Sequence, residues 1–125
     1  MEIKIEYPSN LSQETRLFMN AVIEKLSGVD SISNCDLGAI RMLMLSYDVY
    51  VKASNEVLEK GPLVYDKRNR AKINPAVALT TKKYIEIVTI MKEFGLTVKS
   101  REHIKAMTDE VDQDNPLYQF LKNNG

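Results

Sequence analysis

The sequence predicts a single, predominantly α-helical domain that also carries a small β-hairpin or basic loop. Three observations point there. Apolar residues recur at helical spacing through three long stretches. The pairs Gly61-Pro62 and Asn74-Pro75 mark a helix end and a helix start. The segment between those pairs mixes β-forming residues with a dense run of cations.

At the N-terminus, Ile3, Ile5 and Tyr7 alternate with charged residues ahead of Pro8, so residues 1–9 read as a short strand or an N-terminal arm. From about Asn10 to Leu26, the positions Leu11, Phe18, Val22 and Leu26 repeat at helical spacing, and Gly28 follows as a stop. A polar connection leads to a second helix, where Ser33 and Asp36 resemble a capping box with Asp in place of the usual Glu. That helix should run from about Asp36 to Lys60, roughly 35–40 Å at about 1.5 Å per residue. It ends where Gly61 suits a left-handed position and Pro62 forbids continuation. Leu63, Val64, Tyr65 and Ile73 then flank Lys67-Arg68-Asn69-Arg70 as a loop or hairpin with a basic tip. Asn74 and Pro75 supply an N-cap and a first-turn proline for a third helix to about Phe94, stopped at Gly95. Ser100 should cap a shorter fourth helix through about Met107. The chain divides into the arm 1–9, a helical domain 10–108 and an acidic tail 109–125, whose Asp109, Glu110, Asp112 and Asp114 precede an apolar cluster of Leu117, Tyr118, Phe120 and Leu121.

Composition narrows the function. The 125 residues are 44% apolar and 27% charged, with a formal net charge of zero, so any contact with a polyanion must be local. No apolar run approaches the ~20 residues that span a bilayer, and Met1 to Glu6 lacks the basic and apolar regions of a signal peptide, so a cytosolic protein without membrane contact is expected. One cysteine, Cys35, and one histidine, His103, offer no metal-ligand spacing; no metal and no cofactor are expected. Cys35 sits beside the start of the second helix but has no histidine near it in sequence, and reads as an unreactive thiol. Glu56, Glu59, Glu86 and Glu93 fall on helix positions expected to be solvated, and phosphate loops, nucleophile elbows and HExxH motifs are missing. Nothing here calls for an enzyme.

Two patterns do carry information. In the second helix Met42, Leu43, Met44, Leu45, Tyr47, Val49, Tyr50 and Val51 occupy nearly every direction, and the third helix is similar, with Ile87, Ile90 and Phe94 among its apolar positions. A short chain cannot cover both helices on all sides, so contact between copies is expected, with Tyr47, Tyr50, Val51, Ile87, Ile90 and Phe94 at the interface; the competing reading is that the first helix covers the surplus. The second pattern is charge. Residues 60–72 carry Lys60, Lys67, Arg68, Arg70 and Lys72 against Asp66 alone. Cations in a protruding turn can reach backbone phosphates, and Lys82, Lys83 and Arg101 add charge nearby in sequence. A solvated turn is the competing reading, but repeating a weak patch around an oligomer multiplies its avidity.

The ordered combination of Gly61, the basic segment, Asn74-Pro75-Ala76-Val77, Glu93-Phe94-Gly95-Leu96-Thr97 and Ser100-Arg101 resembles a phage terminase small-subunit family with an NPAV-type helix start and, about twenty residues on, a GLTP-x-SR-type element. The likeness covers about residues 10–105; Val98 stands where that family usually has proline. The resemblance implies a ring-forming homo-oligomer built around an antiparallel pair made by the second and third helices. It further implies a non-catalytic subunit that binds double-stranded phage DNA and regulates the ATPase and nuclease of a large terminase subunit, in the cytoplasm of the infected bacterial host. The basic loop is the physical choice for DNA contact, with the first helix and the turn after it as a competing helix-turn-helix-like element. The terminal cluster Leu117, Tyr118, Phe120 and Leu121 is expected either to order on the large subunit or to fold back onto its own oligomer. The alternative function is a phage structural ring adaptor, such as a head-to-tail connection protein.

Overall fold

Ser12 fixes where the first helix begins. Its hydroxyl accepts from the Thr15 backbone N–H at 3.2 Å and lies 2.7 Å from the Thr15 hydroxyl, so α1 (Gln13–Leu26) starts with an orphan donor satisfied. The computed structural model describes residues 3–100 and 102. No strand forms in residues 3–9; they run as irregular chain against α1. Ile3 is buried, the Tyr7 hydroxyl donates to Asn20 Oδ1 at 2.8 Å, and Arg16 donates to the Pro8 carbonyl at 2.8 Å while lying over the Tyr7 ring.

The Asp36 carboxylate accepts from the Ser33 backbone N–H at 2.9 Å, as the capping-box spacing requires, and α2 runs from Asn34 to Lys60. Beginning beside Asp48 and joining α2 through residues 27–33, α1 lies antiparallel on the first half of α2. Met19, Val22 and Leu26 of α1 and Ile40, Leu43 and Met44 of α2 supply the core, each at most 4% exposed. Burying each such side chain contributes about 1.5–3 kcal/mol.

One carboxylate sits in that packing. Asp48, 8% exposed, accepts from the Ser12 N–H and the Thr15 hydroxyl, both at 2.9 Å, and pairs with Lys52 at 2.6 Å. Lys52 also donates to the Asn10 carbonyl at 3.0 Å. Burial pushes the Asp48 carboxyl up, but the hydrogen bonds from Lys52, Ser12 and Thr15 outweigh it and bring its pKa down to about 2. The cluster ties the start of α1 to the middle of α2.

Gly61 adopts φ +81° and ends α2, and a short antiparallel hairpin follows, β1 (Leu63–Tyr65) with β2 (Ala71–Ile73). Asn74 then closes the base of the hairpin and starts α3 (Pro75–Glu93). Its side chain accepts from the Ala76 N–H and donates to the Gly61 carbonyl, both at 3.0 Å, and its backbone N–H reaches the Pro62 carbonyl at 2.8 Å. From there α3 returns along α2, where the Ser46 hydroxyl faces Glu86 Oε2 at 3.5 Å. The chain divides into two compact units at Ile90, and the end of α3 belongs to the second. Gly95 at φ +66°, with the Leu96 N–H on the Met91 carbonyl and the Gly95 N–H on the Lys92 carbonyl, forms a Schellman motif.

Ser100 is not the cap that its place in the sequence suggests. Residues 98–100 are already helical, and Thr97 is the cap: its hydroxyl accepts from the Ser100 N–H at 3.1 Å and the Ser100 hydroxyl accepts from the Thr97 N–H at 3.2 Å. Ser100 is therefore the third-residue partner of the cap, three residues later than the boundary. Apart from Glu102, the rest of the segment expected to be helical through about Met107, and the tail 109–125, lie outside the described residues.

Candidate nucleic-acid interface

The basic segment is a built turn. Leu63 pairs with Ile73, Val64 with Lys72 and Tyr65 with Ala71, which leaves the chain to reverse from Asp66 to Arg70. The Asn69 N–H reaches the Asp66 carbonyl at 2.9 Å, and the Asp66 N–H reaches the Arg70 carbonyl at 3.0 Å. Asn69 takes φ +60°, the left-handed position that such a loop needs after its first turn and that Asn tolerates. The Asp66 side chain fixes the inside of the turn. One oxygen accepts from the Arg68 and Arg70 backbone N–H groups at 2.8 and 2.9 Å, and the other from Arg70 Nε at 2.9 Å. The Arg70 backbone N–H, with the Arg68 N–H and the Arg70 guanidinium, holds the Asp66 carboxyl below its ordinary value. It stays ionised, and the turn stays clamped, above the usual carboxylate range.

This arrangement sorts the cations. Lys67 and Arg68 project from the tip, exposed and without an ion pair among the described residues. Arg70 is bound to Asp66, and Lys72 Nζ lies 3.9 Å from the same carboxylate. On α3, Lys82 is exposed, whereas Lys83 pairs with Glu86 at 3.0 Å, which holds the Glu86 carboxyl down. No hydrogen bond or ion pair among the described residues joins Lys82 or Lys83 to the hairpin tip. Arg101, Leu117, Tyr118, Phe120 and Leu121 lie outside the described residues. In the competing element, residues 13–41 carry only Arg16, Lys25 and Arg41 as cations, and Arg16 is turned onto the chain's own carbonyls.

Sequence reasoning found the charge and missed what organises it: Asp66 was visible only as the single anion in a basic run, and Asn69 only as part of that run. Asp at the first position of a turn and Asn at its left-handed position were the available signals. An Asn69→Gly substitution is expected to leave the turn intact, whereas Asn69→Val should strain it by about 1–2 kcal/mol. Hydrogen exchange checks this: the Asp66 and Asn69 amides should exchange faster in the valine variant alone.

The residues expected between copies fall into two groups. Val51 and Ile87 are covered by their own chain, at 4% and 5% exposure. Tyr47, Tyr50, Ile90 and Phe94 are half-buried, and the Tyr47 ring stacks on Phe18 with centroids 3.9 Å apart. Of the apolar residues of α3, only Ile87 is buried, while Leu79, Tyr84 and Ile85 stay 40–60% exposed. Between the second half of α2 and the start of α3 an open groove of about 630 Å³ remains, walled by Val49, Ala53, Val64, Pro75, Ala76 and Leu79.

Among the described residues, no helix is long and apolar enough to cross a membrane. Comparison with curated proteins and with solved structures finds no match. A family model described as phage terminase, small subunit, matches residues 19–111. That match takes in most of α1, all of α2 and α3 and the basic hairpin between them, and the chain belongs to the phage terminase small-subunit family.

Proposed function

We propose that this chain is the DNA-recognising, non-catalytic subunit of a phage genome-packaging motor. It works as a homo-oligomeric ring that engages double-stranded viral DNA and regulates the ATPase and nuclease of the large subunit, where catalysis resides. The observation that carries DNA recognition is the clamped basic turn with Lys67 and Arg68 at its tip. Cations at the tip of a turn beyond the two strands reach backbone phosphates without the helices colliding. Arg70, Lys72, Lys82, Lys83 and Arg101 extend the contact, those already held by Asp66 or Glu86 more weakly. With zero net charge, a single copy binds weakly, and the ring supplies the avidity. The uncovered apolar residues of α3 support assembly.

Residues 109–125 are assigned to the large subunit, through Leu117, Tyr118, Phe120 and Leu121. The full chain is expected to shift double-stranded DNA in a salt-dependent manner and to stimulate the large-subunit ATPase. Deleting 109–125 should preserve the shift and the oligomer mass and abolish the stimulation. A full chain that binds no DNA, and binds a portal or tail component in its place, would make it a structural adaptor.

A further inference from the structure

The hairpin has two faces, and its charge accounts for neither of them. Successive residues of a strand point to opposite sides. Val64 lines the groove against α2 and α3, with Lys72 paired opposite it. Leu63, Tyr65 and Ile73 therefore share the other face, Leu63 and Ile73 as direct cross-strand partners, and they are 47%, 64% and 71% exposed. A ribbon of two three-residue strands is marginal in water, and three large apolar side chains on its outer face are poorly suited to phosphate.

We infer that this outer face and the groove are the two halves of one head-to-tail contact, in which the hairpin of each copy seats Leu63, Tyr65 and Ile73 in the groove of the next. The assignment rests on the ring reading above and names the contact that builds the ring.

Three arguments select a second copy as the occupant. A hairpin cannot fill its own groove with its outer face, because its inner face, through Val64, is already one wall. Every copy carries both surfaces on opposite sides of one ribbon, so a single kind of contact covers both, and a contact between two different patches propagates around a ring. The groove also admits an apolar guest without stranding charge: Lys52 is paired with Asp48 and Lys60 with Glu56.

Area sets how the contact must be used. At about 150–250 Å² per large side chain, the three residues leave roughly 350 Å² bare. With a similar area of groove wall this makes roughly 700 Å², about half of what a stable pair of proteins buries. An isolated dimer held this way is weak. A closed ring makes the contact twice per copy, so assembly should be cooperative, with little dimer accumulating.

The test uses the full chain with Cys35→Ser, so that no native thiol interferes. Copies carrying Tyr65→Cys are co-expressed with copies carrying Leu79→Cys and treated with a short bis-maleimide, and native mass is measured in parallel. The expected product is a covalent dimer containing one copy of each variant, with neither variant linking to itself. An Ile73→Lys substitution, at a position already exposed to solvent in the free chain, should raise the concentration for half-assembly roughly tenfold or more. Self-linking by Tyr65→Cys alone would mean that hairpin faces hairpin across a two-fold axis, and would overturn the inference. So would an oligomeric native mass with no mixed dimer, or with assembly untouched by Ile73→Lys, and the ring reading would then survive without this contact. A monomeric native mass at tens of micromolar would overturn both.

Discussion

Replacing Asp48 with alanine is expected to destabilise the chain by about 2–4 kcal/mol, the cost of leaving a fully buried Thr15 hydroxyl and the Ser12 amide without their acceptor. The lower part of that range is favoured because the Lys52 side chain is 49% exposed and can return to water. On a domain of this size the loss should lower the melting temperature on the order of 10 °C. The effect also has a direction in pH. The folded chain holds the Asp48 proton less readily than the unfolded chain does, its pKa being about 2 against an ordinary 3.8. The stability from the charged form is therefore fully present above about pH 4 and is lost as pH falls towards 2, a change of roughly 2 kcal/mol. Urea unfolding of wild type and Asp48→Asn at several pH values checks this. The two curves should lie apart at pH 6 and draw together near pH 2; a constant separation would mean that Asp48 acts by shape and hydrogen bonding alone.

Changing Lys67, Arg68, Arg70 and Lys72 together to Glu should weaken DNA binding on the order of a hundredfold or more at low salt, and flatten its salt dependence. The four positions are not equal. Each phosphate contact adds about 0.9 to the slope of log affinity against log salt, so removing Lys67 and Arg68 alone should lower the slope by about 2. Arg70 and Lys72 share Asp66, and adding them should lower it by less than that again. Sequence preference should change less than affinity, because phosphate contacts position a protein and do not read bases. Fluorescence anisotropy over a salt series, with native mass confirming an intact oligomer, gives the slopes. An unchanged slope would return the hairpin to the role of a solvated turn and make α1 with its following turn the candidate.

The helix boundaries were legible because they are local. Gly61-Pro62, Asn74-Pro75, Ser33 with Asp36, and Gly95 each act within one turn of the backbone, and each sits at the boundary where the sequence places it. Ser100 misled because Thr97 also caps, and two hydroxyls three residues apart satisfy each other. Asp48 was not legible, since Ser12, Thr15 and Lys52 reach it from two helices and only the last is a local neighbour. The hint was a carboxylate inside the apolar run Met42 to Val51 with a lysine four residues on. Periodicity likewise showed that α2 is apolar all round without showing which side its own chain covers. It placed Val51 between copies, whereas that side chain is buried within the chain, so Val51→Glu reports on folding more than on assembly. The charge of the basic turn was legible; its clamp was not, because it depends on one side chain closing on two backbone amides.

Asp48 and the end of α2 stand roughly 18 Å apart along one helix. The core holds that helix as far as Val51 and Ala53, and beyond them Glu56 and Lys60 line the open groove. Substitutions separated by more than about 7–10 Å and sharing no partners act additively. Variation at the ribbon and variation in the core should therefore be inherited as independent traits. A lineage could exchange Lys67 or Arg68, and so retune the charge at the ribbon tip, without any compensating change around Met19, Ile40 or Asp48, and the core could diverge without altering what the ribbon touches.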